Sequence, residues 1–150
     1  MSDAQQQPVF SIEKLYVKDL SVEVPGAPEC FLEREAPQME VNMSTASREL
    51  GDDVYQNSLT VTVTAKHGDK TLFLVECTQA GIFRIQNIPQ DQMPMVLNIG
   101  CPNIVFPYLR ETVSDVIIRA GFPPLLLNPV NFEALFMQQQ QQQQTGAQTH

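Results

Sequence analysis

YQNSLTVTVTAKHGDKTLFLVECTQAGIFRI, residues Tyr55 to Ile85, decides the fold. Its first half alternates without a slip: Leu59, Val61, Val63 and Ala65 take one face, Thr60, Thr62 and Thr64 the other. Period-two alternation of β-branched and apolar residues marks a half-buried strand. Lys66-His67-Gly68-Asp69-Lys70 then reads as a hairpin loop, with a glycine where a positive φ is wanted. Thr71 to Ile85 returns as the partner strand. Phe73, Val75, Cys77 and Gln79 share one face, and Leu72, Leu74, Glu76 and Thr78 share the other. This strand, unlike its partner, is apolar on both faces. Gly81 reads as a bulge before Ile82, Phe83 and Ile85.

Working toward the N-terminus, Phe10 to Val24 reads as a long strand whose phase slips. Each slip of one residue exchanges the faces, so bulges are expected at Glu13–Lys14 and near Lys18. Beyond them Asp19, Ser21 and Glu23 oppose Leu20, Val22 and Val24. Asp19 and Glu23 are then roughly 13 Å apart on one face, too far to act as a carboxylate pair on one bond. Pro25-Gly26-Ala27-Pro28 ends the strand. The proline-bracketed stretch up to Pro37 carries Phe31 and Leu32 and is long for a hairpin, so a crossover is expected. Gln38 to Ser44 alternates, with Met39, Val41 and Met43 on one face. Such methionines are either core filler or an adaptable apolar surface. Thr45 to Asp53 reads as a polar connection that turns at Gly51-Asp52-Asp53.

Toward the C-terminus the period changes to that of helices. Pro89 to Ile99 is expected as a short helix interrupted at Gly100-Cys101-Pro102. Asn103 to Ala120 is the main helix, with Leu109, Val113, Val116, Ile117 and Ala120 as its apolar stripe. Asp115 and Arg119 form an i,i+4 pair, and Gly121 suits the C-terminal cap. Asn128-Pro129 is expected to open a last helix with Phe132, Leu135 and Phe136 on one side. The seven glutamines from Gln138 to Gln144 read as a solvated tail. Strands followed by helices imply an α+β fold: a four-stranded antiparallel sheet, with two main helices packed on one face. Whichever face receives them, one apolar row of the second hairpin strand is left outward. Uncovered rows of that kind point to a closed oligomer. The organisation expected is a flexible arm over 1–9, one domain over 10–137 and a disordered Gln-rich tail over 138–150.

Composition excludes several functions. The formal charge is −8, with thirteen acids against six bases in residues 1–76. That field steers basic partners and argues against nucleic acid. Cys30, Cys77 and Cys101 are far apart and odd in number, which suits reduced thiols rather than a metal or disulfide framework. MSDAQQQP lacks the apolar core of a secretory leader, and no run reaches the ~18–20 apolar residues of a membrane span. A soluble cytoplasmic protein that does not insert into membranes is expected. There is no phosphate loop, HExxH or GxSxG, so no catalytic group, cofactor or metal is expected. Cys30 with His67 as a base is a weak nucleophile pairing. Arg84 is expected to be paired or snorkelling.

Four stretches carry a resemblance: TASRELGDDVYQNSLTVTVTA (Thr45–Ala65), QAGIFRI (Gln79–Ile85), CPNIVFPYLRE (Cys101–Glu111) and FPPLLLNPVNFEALFM (Phe122–Met137). Over Phe10 to Met137 the chain resembles the SecB family of bacterial protein-export chaperones. The resemblance implies a homotetramer, a dimer of dimers. It implies an ATP-independent holdase that keeps secretory precursors unfolded and delivers them to the SecA motor. It maps the family's SecA-docking surface onto Asp19, Glu23, Leu74 and Glu76. It maps positions that influence tetramer assembly onto Val75, Cys77 and Gln79. It places client binding in apolar grooves around Phe31, Leu32, Met39, Val41 and Met43. The glutamine run is longer than the family's tail. Two rivals are a small-molecule-binding or catalytic α+β oligomer using Cys77 or Cys101 in a cavity, and a scaffold without clients.

Overall fold

In the computed structural model, which describes residues 6–148, four strands form one antiparallel sheet. They are β1 (Val9–Glu23), β2 (Gln38–Gly51), β3 (Val54–His67) and β4 (Lys70–Gln86), in the spatial order β1-β4-β3-β2. The first five residues of the expected arm and the last two of the expected tail lie outside the described residues. The central hairpin follows the alternation: Leu59, Val61, Val63 and Ala65 are fully buried while Thr60, Thr62 and Thr64 are half-buried. Gly68 takes the positive φ of its turn. β1 shifts register between Ile12 and Lys14 and again between Val17 and Asp19, as its phase slips required.

Three strand expectations are corrected. β2 does not stop at Ser44 but continues to Gly51, because its polar second half is held by pairing to β3, from Thr45 opposite Leu59 to Glu49 opposite Tyr55. Ladder bonds do not require an apolar face, so composition could not show this. Gly81 sits in regular register with both neighbours, opposite Leu15 and Asn57. The bulge lies lower in the hairpin, where Ala65 pairs Phe73 but Lys66 pairs Thr71, leaving Leu72 as the extra residue. Leu72 therefore leaves the row of Leu74 and joins the buried core with Cys30 and Phe73. Only Leu74 remains on the outer face, half-buried.

The first strand and the second lie at opposite edges, so the segment joining them must cross the end of the β3–β4 hairpin. It does so through a 3-10 turn, Glu29–Leu32, which buries Cys30.

The helices depart further from expectation. α1 (Met93–Met95), a π-helical turn (Val96–Gly100) and α2 (Cys101–Arg119) run on without interruption, Gly100 being helical at φ −64° and ψ −51°. Pro102 has no N–H to donate. The π turn absorbs this: the Cys101 N–H bonds the Val96 carbonyl, five residues back. The next bond of that pattern would join Leu97 O to the missing N–H of Pro102. Leu97 O instead accepts from Asn57 Nδ2 and Ser47 Oγ, each at 3.3 Å. The sheet thus supplies the donors that proline removed, and this ties the helix start to β2 and β3.

α2 lies across β3 and β4 with Leu109, Val113 and Ile117 fully buried. Asp115 and Arg119 pair at 3.0 Å, and Gly121 turns the chain at φ +95°. α3 (Phe132–Gln148) makes its main contacts with the π turn, not with the sheet, and Phe132 meets the Phe106 ring at 6.0 Å. Its cap is Asn131, whose Oδ1 accepts the Ala134 N–H at 3.0 Å, and not Asn128. An N-cap must stand two or three residues before the N–H it serves, and Asn128 is too far upstream. The glutamine run continues α3, and its side chains 138–143 are exposed.

Candidate functional site

Two surfaces remain after the core is built. The first is the sheet face away from the helices. Cross-strand register sets three rows there: Asp19–Thr78–Thr60–Ser44, Ser21–Glu76–Thr62–Asn42 and Glu23–Leu74–Thr64–Glu40. The β1 bulge at Lys18 turns Asp19 and Glu23 to this side; without it they would face the helices. Asp19, Glu23 and Glu76 are exposed; Glu23 lies opposite the half-buried Leu74, Glu76 one row on and Asp19 two rows on. The middle of the face is polar and tied, with Thr60 and Thr78 hydroxyls 2.8 Å apart. Farther along, Gln56 bonds both Tyr16 Oη and the Lys18 ammonium. Glu40 completes the lowest row from the far edge. Its own strand alternation put it opposite Met39, but only the pairing of all four strands relates it to Glu23. The result is a flat, acidic face with one apolar residue among the carboxylates.

The second surface is a cavity of about 400 Å³ between the crossover segment, the start of β2, β4 and the proline-rich connector after α2. Met39, Leu72, Phe73, Phe122 and Leu125 give it apolar walls, and Glu33 and Glu35 stand at its charged side. Phe122 is the hinge of this wall: its ring lies 4.6 Å from that of Phe73 and 5.2 Å from that of Phe31. Gly121 permits the approach, since a methyl group there would stand 2.9 Å from Phe31 Cε1. Leu32 is 80% exposed beside the cavity. Val41 and Met43 lie farther along β2, on its helix-side face: Val41 is exposed and Met43 packs partly against the core. Strand alternation shows only which face Phe73 takes, and the apolar stretch 122–127 between α2 and α3 is the sequence signal for Phe122 and Leu125.

Val75, Cys77 and Gln79 are not at a surface. They lie beneath α2, Val75 and Cys77 fully buried and Gln79 accepting from Thr112 Oγ1 at 3.3 Å. Within the single chain they form part of the packing of β4 against α2. On the sheet, exposed apolar groups stand at the two edge strands: Phe10, Ile12, Val17 and Leu20 on β1, Met39, Val41 and Leu50 on β2.

Cys77 and Cys101 are poorly placed for covalent chemistry. Burial, with a smaller contribution from Asp19, pushes Cys77 up to about 11, and burial pushes Cys101 up to about 12. A thiol held neutral at physiological pH is a poor nucleophile. Cys30 and His67 do line one cavity wall. Arg84 is paired, its Nε 3.1 Å from Glu13. Among the described residues no cluster of three His, Cys, Asp or Glu is arranged to hold a metal ion. Among the described residues no helix is long and apolar enough to cross a membrane.

An α+β layer with an open acidic sheet face and an apolar cavity under a crossover segment defines a protein that works by binding. The family model described as preprotein translocase subunit SecB matches residues 3–143. The chain is 84% identical to the protein-export protein SecB of Thiobacillus denitrificans, over the whole of both chains. It is 62% identical to that of Dechloromonas aromatica, over 94% of this chain and 93% of the relative. It is 56% identical to that of Neisseria meningitidis, over 94% of this chain and 97% of the relative. A solved Mycobacterium tuberculosis SecB-like chaperone, in complex with a ChAD peptide from an antitoxin, shares the fold at TM-score 0.67 and 14% identity, covering 86% of this chain and 94% of that one. The chain belongs to the SecB family. It is a protein-export chaperone and not an enzyme.

Proposed function

We propose that the protein acts in the cytoplasm as a homotetramer, a dimer of dimers, that captures unfolded secretory precursors without ATP and passes them to the SecA motor. A holdase that binds the unfolded chain and not the native one shifts folding by mass action. It needs no catalytic group. The apolar cavity beside Phe31, Leu32 and Met39, continued along β2 by Val41 and Met43, is the capture surface. Repeated on four subunits, weak apolar contacts act on one long client with the gain of effective concentration. The exposed apolar residues of β1 are the natural seam for assembly, since contiguous rows of that kind are rarely left bare.

The observation that carries the reading is the convergence of Asp19, Glu23, Leu74 and Glu76 on one open sheet face. Three exposed carboxylates and one apolar residue on a single face suit a small basic module, with charge setting the encounter rate and Leu74 giving a packed anchor. SecA is the partner assigned to it. The test separates the two surfaces. Glu76→Lys is expected to weaken SecA binding tenfold or more and to leave suppression of precursor aggregation, measured without ATP, unchanged. Equal loss of both activities would refute the assignment of separate surfaces. No suppression by the unaltered protein at near-stoichiometric tetramer would refute the holdase.

A further inference from the structure

We infer that His67 is a proton-operated latch on the crossover segment. The functional half of this inference rests on the capture reading above; the latch itself rests on geometry. His67 closes β3 at a cavity of about 630 Å³ that adjoins the capture cavity, the two sharing Cys30, Glu33 and Leu72. Its Nε2 is shut off from water and has no hydrogen-bond partner among the described residues. Yet Glu35 Oε2 is 3.4 Å away and Glu33 Oε2 is 3.7 Å away. The neutral ring presents to these carboxylates either a lone pair or an uncharged N–H, according to its tautomer. Only the imidazolium carries a hydrogen on both nitrogens and sets a positive charge between the two carboxylates. Imidazole is the side chain that ordinarily changes charge between pH 5 and 8.

The groups around His67 are mainly acidic. Glu33 and Glu35 approach the ring from the crossover segment, and Glu29, Cys30, Asp69 and, as the opposing cation, Lys70 line the same cavity. The two carboxylates sit on the stretch 33–37, which walls the capture cavity and has no ladder or helix to hold it. Protonation therefore pins that wall to the β3–β4 hairpin, and deprotonation frees it.

Hydrogen exchange on the full-length protein, followed by mass spectrometry at pH 7.5 and pH 6.0 and corrected for intrinsic rates, tests the latch. Because the carboxylates are largely exposed, the expected gain is modest: protection at amides 33–36 should rise about two- to fivefold at the lower pH. It should vanish in His67→Gln and in the Glu33→Gln/Glu35→Gln double variant, with the sheet amides unchanged. No gain in the unaltered protein, or the same gain in His67→Gln, overturns the latch. Release of a fluorescent unfolded precursor segment, measured at both pH values, supplies the functional arm. Slower release at pH 6.0 that depends on His67 supports regulation of capture. Protection that changes while release does not leaves the latch standing and refutes this cavity as the capture surface.

Discussion

Gly81 has no room for a methyl group. An added Cβ would stand 2.8 Å from Phe83 Cε2, 3.0 Å from Phe83 Cζ and 3.1 Å from Leu15 Cδ2. Carbon atoms settle at about 3.5–4.0 Å, so the ring must withdraw by about 0.7 Å or more. Phe83 is fully buried and cannot swing out to solvent. Overpacking of this kind costs about 1–3 kcal/mol. Replacing glycine also stiffens the unfolded chain, which returns about 0.4–1 kcal/mol. The net expectation for Gly81→Ala is a loss of about 1–2 kcal/mol, or a fall in Tm of roughly 2–8 °C for a chain of this size. Urea unfolding at fixed protomer concentration measures it, since assembly makes apparent stability depend on concentration. The decisive arm is a double-mutant cycle. In a Phe83→Leu background the two shortest contacts are removed and only that with Leu15 remains, so the cost of Gly81→Ala should fall by about 1 kcal/mol or more. If its cost is the same in both backgrounds within about 0.5 kcal/mol, the close approach is not what requires glycine and the reasoning fails.

Other perturbations follow from the same packing. Asn57→Ala removes one of the two donors to Leu97 O and should cost about 1–3 kcal/mol by urea unfolding. Pro102→Ala restores a backbone N–H in reach of that carbonyl and should reduce the cost in the double variant; an undiminished cost would refute the link between Asn57 and the π turn. Asn131→Ala should cost about 0.5–2 kcal/mol, read as faster amide exchange confined to the first turn of α3. The buried thiols give a pH dependence. Cys77 and Cys101 stand above their ordinary value of 9.0 when folded, at about 11 and about 12. Above pH 9 the unfolded chain releases thiol protons that the folded chain keeps, so their stabilising effect is present below pH 9 and lost as pH rises toward 11–12. Cys101→Ser should flatten that decline, and both native thiols should resist alkylation at pH 8; rapid modification of either in the folded protein would contradict the burial.

The sequence by itself determined the strands and their faces. Leu59, Val61, Val63 and Ala65 were legible as core because a side-chain period of two admits only one burial solution once the hairpin turns at Gly68. The phase slips at Glu13–Lys14 and Lys18 were legible for the same reason, and with them the common face of Asp19 and Glu23. The main-helix stripe was legible from its 3.6-residue period, and the SecB resemblance from long unbroken matches.

Tertiary structure decided what local pattern cannot encode. The polar half of β2 is a strand because β3 offers it a ladder, not because its residues prefer one. The helix runs through Gly100-Cys101-Pro102 because Asn57 and Ser47, distant in sequence, donate to the carbonyl that Pro102 leaves bare. Leu72 turns inward because one bulge in the hairpin sets it apart from Leu74. Val75, Cys77 and Gln79 are interior because α2 crosses β4 above them, while Phe10, Ile12, Val17 and Leu20 on the β1 edge stay exposed. Register between strands, and the line along which one helix crosses a sheet, depend on contacts between segments far apart in the chain. The faces were therefore written in the sequence, and which of them stayed open to a partner was settled only by the packing.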